Sequence, residues 1–161
     1  MPDLVTDIVT DRLILRPWTS ADVQAVVGAD RQPSWADDFP AEGDTVIAGL
    51  IDSHPDWLSP FGHRLIIERS TSEVVGSLGL FWPPSDGRVE IGYGVVPSRQ
   101  GRGYASEATA ALTAFALGSE DVHTVHANVE PSNPASARVL EKAGFEKTGS
   151  TDELISYQRP A

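Results

Sequence analysis

Polar and apolar residues alternate at the ends of Arg12-Leu13-Ile14-Leu15-Arg16, a pattern that predicts a first strand stopped by Pro17. Thr19-Ser20-Ala21-Asp22 then supplies an N-cap and an early acid for a short helix through about Val27. Asp30 to Gly43 is a loop rich in Pro, Asp and Trp. A second helix over Asp44 to Ser53 places Val46, Ile47, Leu50 and Ile51 on one face. After the turn-rich stretch Pro55 to Gly62, three strands are predicted at His63 to Arg69, Glu73 to Trp82 and Arg88 to Val96. Good turn chemistry separates them, so they form an antiparallel meander. The spacing then becomes helical at Ala105, Ala108, Leu112, Phe115 and Ala116, ending near Gly118. Val122 to Val129 is a strand with β-branched residues. Asn133-Pro134 opens a helix that closes at Ala143-Gly144, with Pro at the first helical position. Phe145-Glu146-Lys147 and Leu154 to Gln158 make a closing hairpin.

This order implies an α+β fold, a mixed but mostly antiparallel sheet with helices on its faces. Glu90 to Val129 should be a strand-helix-strand unit with its two strands parallel. A length of 161 residues suits one domain with a proper core, and 40% hydrophobic residues is ordinary globular composition. The absence of cysteine excludes disulfides, thiolate metal sites and a cysteine nucleophile. The four histidines form no metal constellation, since His123 and His126 face opposite sides of a strand. No run of 18 apolar residues exists and the opening Met1-Pro2-Asp3 is acidic, so a cytoplasmic protein without a membrane span is expected. A net charge of -11 argues against a nucleic-acid partner.

Gln100-Gly101-Arg102-Gly103-Tyr104-Ala105 joins the end of a strand to the start of a helix. Glycine lets a backbone approach a ligand closely, and unpaired N–H groups at a helix start form an anion site. The segment therefore reads as a backbone cradle for a diphosphate. A dinucleotide fingerprint fits poorly, because Ser106 holds the sixth position and Pro97-Ser98-Arg99-Gln100 intervene after the strand. A phosphate-binding P-loop fails, because no Gly-Lys-Ser/Thr follows. A glycine turn without a ligand is the remaining alternative.

Four collinear segments alter that balance: Asp11 to Trp18, Glu90-Ile91-Gly92-Tyr93, Gln100 to Ala108, and Asn133 to Phe145. Together they resemble the GNAT superfamily of acetyl-CoA-dependent N-acetyltransferases, in the branch similar to the Rim-type ribosomal-protein N-terminal acetyltransferases. The resemblance spans nearly the whole chain as a single N-acetyltransferase domain. It implies a GNAT fold of about seven strands with helices on both faces and a splayed fourth and fifth strand. One departure is Ser98, where the superfamily loop usually carries Gln or Arg. A cradle made of backbone amides should tolerate it.

The resemblance also implies site residues. Gln100, Gly101, Arg102, Gly103, Tyr104 and Ala105 would hold the CoA pyrophosphate, with Arg99 and Arg102 meeting the adenosine phosphates. Gly94, Val95 and Val96 would pair with the pantetheine arm as a further strand, with the Val95 amide facing the oxyanion. A lysine-like amine, of pKa about 10.4, must lose a proton before it attacks a thioester. Glu90 is the candidate base. The departing thiolate needs a proton, which many relatives supply from a Tyr on the late helix, where this chain has Leu140. Ser136 is the candidate instead, with Asn133 as N-cap and pantetheine contact. Acidic residues crowd Asp30 to Pro60, as a solvated surface or as a rim that collects a cationic acceptor. Trp35, Asp37, Asp38 and Trp57 are the candidate acceptor contacts.

The expected reaction is direct acetyl transfer from acetyl-CoA to a primary amine, of a protein N-terminus, a lysine or a small molecule such as a polyamine or antibiotic. The rival is a catalytically silent acyl-CoA-binding module. No metal is expected. A homodimer is compatible with the resemblance.

Overall fold

The computed structural model describes residues 7–161, so the acidic opening Met1-Pro2-Asp3 lies outside the described residues. Eight strands form one sheet: β1 (Ile8–Val9), β2 (Leu13–Pro17), β3 (His63–Glu68), β4 (Glu73–Leu80), β5 (Arg88–Val95), β6 (Thr124–Val129), β7 (Glu146–Ser150) and β8 (Ile155–Pro160). Four α-helices are interleaved: α1 (Ser20–Val27), α2 (Glu42–Ser53), α3 (Tyr104–Leu117) and α4 (Pro134–Lys142). The sheet order is β1-β2-β3-β4-β5-β6-β8-β7. Each pair is antiparallel except β5–β6, which is parallel as the strand-helix-strand unit requires.

The sheet has one strand more than the pattern predicts. Ile8–Val9 is two residues long, too short to show a period, and gains its structure by pairing with Leu15 and Ile14. Helix α1 starts as read: Thr19 Oγ1 accepts from Asp22 N at 3.1 Å, and the Asp22 carboxylate accepts from Thr19 N at 2.8 Å. Helix α2 begins two residues before the predicted Asp44, at Glu42, because the Asp44 carboxylate reaches back to accept from Ala41 N at 2.9 Å.

Two side chains fix which helix covers which face. Ser77 on β4 reaches Asp44 of α2, and Tyr93 on β5 reaches Ser136 of α4. Ser77 pairs with Gly94, and Gly94 and Tyr93 are consecutive, so these side chains leave the sheet on opposite sides. Helix α3 packs with α4 on the second face. Leu13, Leu15, Leu78, Leu80, Leu112 and Leu140 are fully enclosed between the layers. Leu140 is thus a core residue. Among the described residues no helix is long and apolar enough to cross a membrane.

The β5–β6 pairing is short. It covers Arg88↔Thr124, Val89↔Val125 and Glu90↔His126, and then stops. Ala127–Val129 continue on β8 alone, while Ile91–Val95 continue on β4 alone. The sheet is therefore open between Ile91 and Val95, at the expected splay.

Candidate active site

Strand β5 lines this gap with main-chain groups. Glu90 O accepts from Phe81 N and Val96 N donates to Val75 O, both at 2.9 Å, so even-numbered residues face β4. Antiparallel alternation turns the N–H groups of Tyr93 and Val95 the other way, toward the missing neighbour. The Val95 amide is thus turned into the gap, whereas the Val96 amide is spent on Val75 and its side chain is fully buried.

Beside the gap lies a groove of about 480 Å³ walled by Tyr93, Gly94 and Val95, the Gln100–Ser106 loop and the first turns of α4. Gly101 and Gly103 have φ of 78° and 82°, in the left-handed region where a Cβ is disfavoured. A Cβ on Gly101 would meet nothing within 4 Å, and one on Gly103 would stand 3.2 Å from Arg12 Nη2. Gly103 is the N-cap of α3 and offers no side chain. Among the described residues, the amides of Gly101, Arg102, Gly103, Tyr104 and Ala105 donate to no protein acceptor. The loop is thus shaped and charged for a diphosphate.

Charged side chains around this loop are engaged with one another, and Arg99 also lines the groove. Arg99 Nη2 pairs with Glu73 at 2.6 Å and Arg99 Nε with Glu68 at 3.3 Å. Arg102 Nη1 pairs with Glu68 at 3.2 Å, and Arg102 does not line the groove. Asp38, predicted to read an acceptor cation, accepts from Ser98 N at 2.8 Å and Ser98 Oγ at 2.7 Å. Arg12 closes the far side, donating to Arg102 O at 2.6 Å and pairing with Glu107 at 2.8 Å. Glu68 is 1% exposed and also accepts from Tyr104 Oη at 2.7 Å and Thr71 Oγ1 at 2.8 Å. Burial would raise its carboxyl, but the hydrogen bonds from Tyr104, Thr71 and Arg99 hold it below the usual range. These groups staple the loop in place. Ser98, the departure from the superfamily pattern, is one of the staples.

Helix α4 forms the opposite wall. Asn133 Oδ1 accepts from Ser136 N at 3.2 Å, as expected for an N-cap. The Ser136 and Tyr93 hydroxyls are 2.5 Å apart, and Tyr93 Oη also donates to Ser136 O at 3.0 Å. Burial pushes the Tyr93 phenol up. Arg138 and Lys142 line the same groove, and the sequence reading missed them. Their i, i+4 spacing on α4 was the available signal.

A second cavity, about 530 Å³, lies on the other face of the sheet and shares Tyr93, Gly94 and Val95 with the groove. Its floor is Ser77, Gly79, Gly92 and Gly94, and its walls are His63 and the first turns of α2. Gly79 faces Gly92 and Gly94 faces Ser77 across β4–β5, so the floor is nearly free of side chains. A Cβ on Gly94 would meet nothing within 4 Å. None of the four predicted acceptor contacts lines this cavity. Trp35 is core, edge-on to Phe39 with centroids 5.3 Å apart, and Asp37 is exposed. Trp57 donates from Nε1 to Trp82 O at 2.9 Å and stacks on His54. Glu90 is half-buried opposite His126 and lines neither cavity. Among the described residues no cluster could hold a metal.

A splayed parallel pair beside a glycine cradle at a helix start is the architecture of acyl-CoA acetyltransferases, and the comparisons agree. The family model described as "Acetyltransferase (GNAT) domain" matches residues 12–146, and the chain belongs to that family. It is 30% identical over 146 residues to the uncharacterized N-acetyltransferase YoaA of Bacillus subtilis, covering 87% of this chain and 82% of YoaA. It is 36% identical over 85 residues to the uncharacterized N-acetyltransferase p20 of Bacillus licheniformis, covering 52% of this chain but 48% of p20. A crystal structure of an acetyltransferase from Agrobacterium tumefaciens superposes with a TM-score of 0.69 at 25% identity, covering 100% of this chain and 98% of that one. The alpha-N-protein acetyltransferase RimL, solved with coenzyme A, has the same fold at a TM-score of 0.69 and 22% identity, covering 96% and 98%.

Proposed function

We propose that the protein moves the acetyl group of acetyl-CoA directly onto a primary amine, with no covalent enzyme intermediate. One observation carries this reading. Two cavities on opposite faces of the sheet meet at Tyr93-Gly94-Val95, where β5 and β6 part, so donor and acceptor can approach one carbon from opposite sides. Such positioning supplies much of the rate in a bimolecular acyl transfer.

Acetyl-CoA fits the residues present. The amides of Gly101 to Ala105 would hold the pyrophosphate, and Arg138 and Lys142 would meet the remaining phosphates across the groove. The Tyr93 and Val95 amides offer the pantetheine arm a strand edge and the developing oxyanion a donor. Ser136, backed by Tyr93, would donate to the departing thiolate. A protein N-terminus, as the name of RimL describes, and a polyamine, as that of the spermidine N-acetyltransferase SpeG chimera describes, both present the required amine. We place the activity in the cytoplasm.

The test is release of free thiol from acetyl-CoA across a panel of peptides and small amines. Turnover with at least one amine is the expected result. Tight CoA binding without turnover on any of them would instead identify a silent acyl-CoA-binding module.

A further inference from the structure

The acceptor-side cavity holds a buried carboxylate that no cation neutralises among the described residues. Asp44 is 4% exposed and lines the cavity, yet it belongs to no ion pair there. Its two hydrogen bonds use one lone pair on each oxygen: Oδ1 accepts from Ser77 Oγ at 2.5 Å and Oδ2 from Ala41 N at 2.9 Å. A carboxylate has about four acceptor sites, so both oxygens keep capacity. Helix capping alone accounts for one of these bonds and needs no burial. An anion held out of water without a counter-charge is costly, and an arriving cation offsets that cost.

The surroundings point the same way. The other titratable side chains on the cavity wall are Glu42, exposed at its mouth, and His63; Tyr93 sends its hydroxyl to Ser136 on the other face, and no Lys or Arg lines the cavity. His63 is 1% exposed and its Nε2 has no hydrogen-bond partner, so a second polar group there is unspent. Val46 and Ile47 give α2 an apolar side facing the same space. A cavity with two carboxylates, a neutral imidazole and an apolar wall suits a cation on a hydrocarbon stem.

We propose that Asp44 receives the ammonium group of an aliphatic primary amine and takes its proton. The acceptor class is thus an alkylammonium, whether a lysine side chain or a free alkylamine. This rests on the acetyl-transfer reading and names its substrate. One N–H bond breaks as an O–H bond forms on Asp44, leaving a neutral amine and a neutral carboxylic acid. Charge neutralisation at a buried carboxylate favours that exchange. Burial, outweighing the hydrogen bonds from Ser77 and Ala41, already pushes the Asp44 carboxyl above its ordinary range. The amine lone pair then forms the N–C bond, the C–S bond breaks with its electron pair on sulfur, and the surplus N–H proton passes to that sulfur by way of the Ser136 hydroxyl, which is left as it began. Asp44 gives up its own proton when the product departs.

The test uses the full chain and its Asp44→Asn variant, which keeps volume and one acceptor. Butylammonium should bind the wild type, and calorimetry should show binding at least ~10-fold weaker in the variant, as for loss of a charge pair. Butanol, equal in shape but uncharged, should bind the wild type at least ~10-fold more weakly than butylammonium. For transfer, kcat/KM with butylamine should fall about 100-fold in the variant, while kcat/KM with aniline, neutral at pH 7, should change by less than about 3-fold. Equal binding of butanol and butylammonium by the wild type overturns the proposal even if the variant does not fold. So does an equal loss of butylamine and aniline turnover. Preference for a lysine peptide or for a free diamine distinguishes the two sources of the same chemistry, and either supports the assignment. Binding of butylammonium without any thiol release would defeat the transferase reading and leave the cation site standing.

Discussion

The two cavities that meet at Tyr93-Gly94-Val95 are built from different materials. The donor groove is mainly backbone: glycines at positive φ, amides at a helix start and a strand edge left without a neighbour. The acceptor cavity is side chains over a glycine floor, drawn from α2, β3, β4 and β5. A backbone site is set by fold and loop geometry, so it tolerates exchange of side chains but not of conformation. A side-chain site is set residue by residue and can change its ligand without altering the fold. One architecture can thus keep its donor and vary its acceptor.

Gly103→Val gives the largest separation between the two. The residue sits at φ 82° and its Cβ would crowd Arg12, so the variant must distort the start of α3. CoA affinity should drop by about 1,000-fold, since both the left-handed conformation and the amide cradle are lost. Butylammonium binding on the other face should be unchanged. Calorimetry with each ligand checks the contrast, and wild-type CoA affinity would remove the loop from the donor site.

That difference in material also decides what was legible in the sequence. Apolar runs, turn chemistry and helix caps located seven strands and four helices; β3, buried throughout, and β7, exposed throughout, show no alternation of faces. Ile8–Val9 was missed for lack of length, and α2 began early through the reach of Asp44 to Ala41. The cradle was legible because its determinants are contiguous from Gln100 to Ala105. What its charged neighbours bond to was not legible: Asp38 holds Ser98, and Arg99 and Arg102 pair with Glu73 and Glu68, partners far away in sequence. The acceptor cavity was legible only in outline: Glu42 and Asp44 fall in the acidic Asp30 to Pro60 stretch, but none of the four named acceptor contacts lines it. His63, Ser77 and Gly94 become neighbours only through strand pairing, and Asp44 joins them only through the packing of α2 on the sheet.

His63 makes the acceptor side sensitive to acid. Burial pulls its imidazole from 6.5 down to about 4, against aromatic faces of Trp57 and Phe81. The unfolded chain therefore takes up the proton more readily than the folded one. Stability from this group is complete above pH ~6.5, declines as the pH falls toward about 4, and does not decline further below that; ~1.4 kcal/mol per unit makes the loss about 3 kcal/mol. Denaturant midpoints at pH 7.5 and 4.5 should differ less in His63→Gln than in the wild type. Equal pH dependence in both proteins would show that burial does not shift the His63 imidazole between the unfolded and folded chain.

Residues at the junction should affect turnover instead of either affinity. Ser136→Ala and Tyr93→Phe break the same hydroxyl pair, so each should lower kcat by about 30-fold, within the range for a positioned proton donor. The double variant should be little worse than either single one, because the two act as a unit. Fully additive losses would separate them. Val46→Lys should be milder and confined to the acceptor. Val46 is 57% exposed at the cavity edge, so the substitution costs little in folding. The added charge should raise KM for an alkylamine about 5-fold, less so at high salt, and leave CoA affinity unchanged.

Glu90→Gln should have the smallest effect, which makes it the sharpest discriminator. Glu90 lies on the floor face with Gly92 and Gly94, but past the end of the cavity and opposite His126 on the last paired rung of β5–β6. Because Glu90 does not line the cavity, a proton from the amine would reach it through intervening water. If Asp44 takes the proton directly, kcat in Glu90→Gln stays within about 3-fold of wild type and the pH-rate profile keeps its shape. A loss above about 100-fold, with the acid limb of that profile displaced, would return the base role to Glu90. Asp44 would then serve in binding the cation alone. The acceptor cavity would recognise its substrate with one carboxylate and deprotonate it with another, and its chemistry would extend one rung further along β5 than its walls do.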